Sequence, residues 1–173
     1  KEKNNEILIK GLYLSKSYKI IDIENFDINF KNNKKILNKL KLKKNNSNFI
    51  IDGESFDASR IINNIMDSDD ESSTIFENLN SKINIRIKKT YIDEVNYINN
   101  LYGDLGFNNN KMHSLKLEST FPNKKKINLS IKTLNNSETI TKLSSAYPKP
   151  LIKRYDFIKG FEEGYLDFYS SKK

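Results

Sequence analysis

Asn48-Phe49-Ile50-Ile51-Asp52-Gly53-Glu54-Ser55-Phe56-Asp57-Ala58-Ser59-Arg60-Ile61-Ile62-Asn63-Asn64-Ile65-Met66 changes its hydrophobic period part-way along. From Asn48 to Ile51 the residues alternate and are of the β type. From Ile61 the apolar residues fall at Ile61, Ile62, Ile65 and Met66, the spacing of one helical face. Asp57 stands where a helix N-cap belongs, its carboxylate in reach of backbone N–H groups two or three residues on. The stretch predicts a strand running into a short capped helix, 59–66, after which the chain returns to strand.

Outward from this unit, the pattern is that of short strands. Ile7/Ile9 and Leu12/Leu14 are split by Gly11, Phe26/Ile28/Phe30 alternate with Asp27 and Asn29, and Leu40/Leu42 alternate with lysines. Beyond the acidic stretch 67–74, alternation is cleanest at Ile83/Ile85/Ile87, Leu115/Leu117 and Ile127/Leu129/Ile131, and it ends with Leu166/Phe168. Asn/Lys turns separate these runs at 31–34, 45–46, 108–110 and 135–136. A second short helix is predicted over about 146–155, with Ser144 or Ser145 as its cap and Pro148 and Pro150 confining it. The two halves, 1–66 and 75–173 joined by the linker 67–74, rhyme as strands followed by a helix, which suggests an internal duplication within one continuous segment. The fold class expected is mainly β: an elongated, curled antiparallel sheet with two short helices and one greasy face.

The chain has 173 residues, enough for one domain or two small ones with a core. A net charge of +8 could favour nucleic acid or anionic membranes. The lysines are scattered among asparagines and isoleucines, however, as coding bias toward AT-rich codons would place them. Tyr91, Tyr97, Tyr102 and Tyr155 lie near lysines but do not define a stacking platform, so nucleic acid is not an expected partner. With no cysteine there is neither a disulfide framework nor a thiolate metal site. No apolar run reaches the roughly 20 residues of a membrane-spanning helix. The acidic stretch lacks the glycine and distal glutamate of a calcium loop and reads as a solvated linker. His113 is the single histidine and has no obvious acid partner. The adjacent acids Asp93-Glu94 and Glu162-Glu163 point apart on a strand or turn. No phosphate-binding, nucleophile-elbow or zinc motif occurs. Neither catalysis nor a cofactor nor a metal is expected.

Residues 49–59 with the apolar helix after them resemble a recurrent segment of AsmA-like proteins, the YhdP-type group of the AsmA/TamB superfamily. Residues 139–155, Ile158-Lys159-Gly160 and Gly164-Tyr165-Leu166-Asp167-Phe168 resemble the next strand–helix–glycine–strand unit of that family. Ser144-Ser145 and two prolines replace the acidic and small residues usual there. The resemblance implies a hydrophobic β-groove in the envelope of a diderm bacterium, a periplasmic segment of a protein anchored in the inner membrane outside this stretch. It implies phospholipid acyl chains as cargo between inner and outer membranes, with outer-membrane or periplasmic proteins as further partners. The lining expected on that reading is Ile83, Ile85, Ile87, Leu115, Leu117, Ile127, Leu129, Ile131, Leu166 and Phe168. On the residues alone, the same apolar face also fits the closed core of a structural envelope scaffold.

Overall fold

The computed structural model describes residues 6–62, 76–134, 137–155 and 164–172. The protein is mainly β, with one large open sheet and two short helices. The strands are β1 (Glu6–Lys10), β2 (Tyr13–Leu14), β3 (Ile20–Asp22), β4 (Asn25–Lys31), β5 (Leu37–Asn45), β6 (Asn48–Asp57), β7 (Ser81–Tyr91), β8 (Tyr97–Asn108), β9 (Lys111–Thr120), β10 (Lys126–Thr133), β11 (Thr139–Ser145) and β12 (Leu166–Lys172). Helix α1 is described over 59–62, and α2 spans Lys149–Tyr155. Ten strands form the sheet in the order β1-β4-β5-β6-β7-β8-β9-β10-β11-β12, while β2 and β3 pair separately. The middle strands are longer than alternation alone suggests, β7 having 11 residues and β8 having 12.

Hairpin turns are set by asparagine. Asn109 and Asn110 have φ of 47° and 65° between the paired residues Asn108 and Lys111. Two consecutive left-handed residues make the type I′ turn that matches strand twist, and asparagine tolerates this conformation better than most residues do. Asn46, at φ 55°, supplies the single left-handed residue of the two-residue turn from β5 into β6. Gly11, at φ 60°, ends β1 where the sequence phase slips.

One junction departs from the expected antiparallel order. β6 pairs with β7 in parallel, Ile51 opposite Ile85 and Phe56 opposite Thr90. A parallel neighbour must start at the far end of the strand before it, so a crossover is required rather than a turn. Ahead of β7 the described chain resumes beside β3, where the Glu77 N–H donates to the Ile20 carbonyl at 2.9 Å. The second helix-bearing unit differs, because β11 and β12 flank α2 and pair antiparallel. The rhyme between the halves is therefore one of local pattern and not of topology. The stretch 67–74, the expected helix residues 63–66 and Ile158-Lys159-Gly160 lie outside the described residues.

The compact core sits at one end of the sheet. Phe121, only 1% exposed, packs with Ile92, Ile98 and Leu151. Ile62 of α1, Tyr147 before α2, and Leu101, Ile127, Leu143 and Leu166 from the sheet close around them. Both helices thus cover the same end of one face.

Candidate functional site

Residues directly opposite each other in neighbouring strands point to the same side of a sheet. Following the pairs strand by strand, one row crosses the sheet: Ile9–Phe26–Leu42–Ile51–Ile85–Gly103–Leu117–Leu129–Leu143–Phe168. Every member is apolar or glycine. A second row on the same face runs Ile7–Ile28–Leu40–Gly53–Ile87–Leu101. A third runs Phe49–Ile83–Leu105–Leu115–Ile131, and Ser119–Ile127–Ser145–Leu166 leads into the helix-covered core. All ten residues proposed from sequence as a lining therefore stand on one face.

The long row is sheltered but not covered. None of its ten members is buried, the interior ones being half-buried and the edge residues Ile9 and Phe168 being 45% and 44% exposed. Among the described residues, close covering is confined to the helix end and to scattered positions such as Ile87 and Leu115. The inner strands of a two-layer sandwich would bury such a row.

Two glycines keep the face smooth. A Cβ on Gly103 would stand 1.8 Å from the Lys116 carbonyl oxygen, so only glycine lets β8 and β9 approach this closely. A Cβ on Gly53 would meet the Leu40 side chain at 2.3 Å and that of Ile87 at 3.3 Å, so those two side chains close over the gap.

The reverse face carries charge. Its central row is Leu8–Asp27–Lys41–Asp52–Arg86–Tyr102–Glu118–Asn128–Ser144–Asp167. Lys41 pairs with Asp27 at 3.2 Å, Arg86 with Asp52 at 2.9 Å, Lys39 with Glu54 at 3.0 Å and Lys116 with Glu118 at 2.9 Å. The Lys116 ammonium holds the Glu118 carboxyl below its ordinary value and is itself shifted upward. A depression of about 790 Å³ lies along this face and is bordered by Glu6 and Leu8 but not by Ile7, whose side chain is on the apolar side. Its walls include the charged residues Asp27, Lys41, Asp52 and Arg86, and its lining also takes in Ile28, Leu40, Gly53, Ile87 and Leu101 of the second apolar row.

Alternation is interrupted where the apolar face meets the core. Glu54 is an extra residue in β6 relative to β5, and Asn100 takes φ 52° where β8 carries one residue more than β9. Such bulges re-aim the residues beyond them. They bring Ile98 into the Phe121 cluster although simple alternation from Leu101 would turn it away.

The entry to α1 is built from side chains. Asp57 Oδ1 accepts the Ser59 N–H at 3.0 Å, and Asn32 Nδ2 donates to Asp57 Oδ2 at 2.7 Å. Asn38, 3% exposed, accepts the Asp57 N–H at 2.9 Å. Desolvation alone would raise the Asp57 carboxyl. The Ser59 and Asn32 hydrogen bonds and the Lys34 charge outweigh it, so the pKa lies below the usual 3.8. Nothing in the sequence pattern marked Asn32 and Asn38 as partners, since both lie within ordinary turn and strand runs.

Ser144 does not cap the second helix. It belongs to β11, points to the polar face and lies 3.3 Å from the Asn128 amide. The helix starts at Lys149, and the Pro148 carbonyl accepts its first bonds from Leu151 and Ile152. Ser145 supports the preceding turn by accepting the Tyr147 N–H at 3.2 Å. Proline fixes φ at a helical value and needs no donor there, so the helix opens at the prolines.

His113 sits at the β8–β9 bulge, its ring against Gly106. Tyr91 and Tyr97 engage Lys89, whose ammonium is 3.8 Å from the Tyr97 ring centre, while Tyr102 stands apart on the charged face. Among the described residues, no three His, Asp or Glu side chains are grouped to hold a metal ion, and no helix is long and apolar enough to cross a membrane. Comparison with known protein families, with curated proteins and with solved structures finds no match.

Proposed function

We propose that this chain is a non-catalytic segment of a lipid conduit, its apolar face shielding phospholipid acyl chains from water. The observation that carries the reading is the apolar row that crosses all ten strands without one buried member. Nine inter-strand steps of about 4.8 Å give a path of roughly 43 Å. Leaving an acyl chain in water costs about 0.8 kcal/mol per CH₂, and a continuous apolar path removes that cost at every position along it. Successive positions are chemically alike, Leu117, Leu129 and Leu143 being direct neighbours, so a chain can slide without crossing a polar barrier. The head group stays at the rim in water, and no bond is made or broken. On the resemblance to AsmA-like proteins, the proposal extends to a segment working in a diderm envelope, between the inner and outer membranes.

The test is photo-crosslinking from Ile85 and Leu129 in cells, with lipid analysis of the purified chain. Phospholipid adducts at these two positions, and none from Lys41 or Lys116 on the reverse face, are expected. Adducts confined to the charged face would overturn the proposal. A lipid-free protein giving only protein adducts at Leu129 would assign the face to a structural scaffold.

A further inference from the structure

The first strand is an exposed edge with an unusual symmetry. β1 reads Glu6-Ile7-Leu8-Ile9-Lys10, and all five residues are exposed, Ile7 at 63%, Leu8 at 47% and Ile9 at 45%. Among the described residues it pairs only with β4, which leaves its other side as an open ladder there. Soluble proteins blunt such edges with short strands, charged side chains, proline or bulges; β1 is short and carries its charges only at the ends, Glu6 and Lys10, which leaves three apolar residues between them.

The pattern complements itself. Two copies of β1 laid antiparallel about a two-fold axis through Leu8 set Leu8 against Leu8, Ile7 against Ile9 and Glu6 against Lys10, each of the last two pairs twice. Ile7 and Ile9 lie on the apolar face, so this register keeps the apolar faces of both copies on the same side.

The parallel junction restricts the alternatives. Because β7 repeats the direction of β6, β1 and β12 run the same way. Joining β12 of one copy to β1 of another with apolar faces aligned would need a parallel pair, which is less stable per residue and propagates into an open filament. β12 against itself matches poorly. Centred on Tyr169 it sets Leu166 against Lys172 and Asp167 against Ser171, and centred on Phe168 it sets Asp167 against Tyr169.

We propose that the chain forms a two-fold dimer through antiparallel β1–β1 pairing, which joins the two apolar faces into one. This does not depend on what the face binds.

The test uses the 173-residue chain, which has no cysteine of its own. Sedimentation should give twice the 20.2 kDa monomer mass. Directly opposed residues have Cβ atoms about 5 Å apart, so Leu8→Cys should oxidise to a covalent dimer while Tyr169→Cys should not. Glu6→Lys and Lys10→Glu should each weaken the dimer at least tenfold by setting like charges opposite one another. The double variant, which restores both pairs, should recover it. Circular dichroism keeps loss of fold distinct from loss of pairing. A wild-type monomer at every concentration, a dimer indifferent to both reversals, or a disulfide through Tyr169→Cys in preference to Leu8→Cys would overturn the proposal.

Discussion

Phe121→Ala and Leu129→Ala should differ several-fold in cost although both truncate large apolar residues, one just after β9 and one in β10. Phe121 is 1% exposed, packs on Ile92, Ile98 and Leu151, and meets the Tyr147 ring edge-on at 5.3 Å between centroids. Truncation leaves a cavity that four neighbours cannot fill and forfeits the ring pair, a loss of about 4 kcal/mol. Leu129 is half-buried and stands outside the buried cluster, so truncation should remove side-chain area without enclosing a comparable void. Its cost should be near 1 kcal/mol. Urea unfolding followed by circular dichroism reads both values, since there is no tryptophan to report by fluorescence. With a slope of about 2 kcal/mol per molar, the midpoints should fall by roughly 2 M and 0.5 M. Equal losses would refute the reasoning, because they would mean that the long apolar row is roofed as tightly as the helix end.

Gly103→Ala must push the Lys116 carbonyl away from a Cβ that would stand 1.8 Å from it, and should cost about 2–3 kcal/mol, visible as a lower melting temperature; an unchanged melting point would show that β8 and β9 are not packed this closely. Thr90 Oγ1 is buried with no hydrogen-bond partner among the described residues, so Thr90→Val should stabilise by about 1 kcal/mol in the same urea assay, and a loss would reveal a partner. Asp57 has a depressed folded pKa, so its contribution is present above the unfolded value of 3.8 and is lost as pH falls through the lower folded value. Asp57→Asn should therefore lower stability at neutral pH and flatten its fall between about pH 4 and pH 2, and parallel acid-unfolding curves for the two proteins would contradict this.

The face of each strand was legible because alternation is a property of the strand itself. Ile83, Ile85 and Ile87 on β7, and Ile127, Leu129 and Ile131 on β10, needed nothing but the two-residue period to be placed together. Asparagine turns were legible for the same reason, their left-handed φ being a local preference. Strand direction was not, since Ile83–Ile87 reads alike whether β7 runs with or against β6. The parallel junction is decided by where the described chain resumes ahead of β7, beside β3, some sixty residues earlier in the chain. The bulges at Glu54 and Asn100 were equally hidden, as each depends on a mismatch in length between two strands. Ser144 misled because a serine before a helix suits a cap, but the β11 register extends through Ser145 and leaves the prolines to start the turn.

The two faces of the sheet constrain what can bind to each. The reverse face sets Asp27, Lys41, Asp52 and Arg86 side by side in alternating sign, which fixes strand register. Its exposed ion pairs add little to stability individually, since such pairs contribute roughly 0–1 kcal/mol each. They would have to be desolvated if another layer stacked there, and that penalty rises with every pair covered. The apolar face carries no such penalty, and each side chain covered there gains free energy in proportion to its area. A partner layer, whether acyl chain or protein, is therefore directed to the same side as α1 and α2. The helices take the end where bulges gather Ile98, Leu101 and Phe121, and the rows beyond them keep the exposure a second occupant can use.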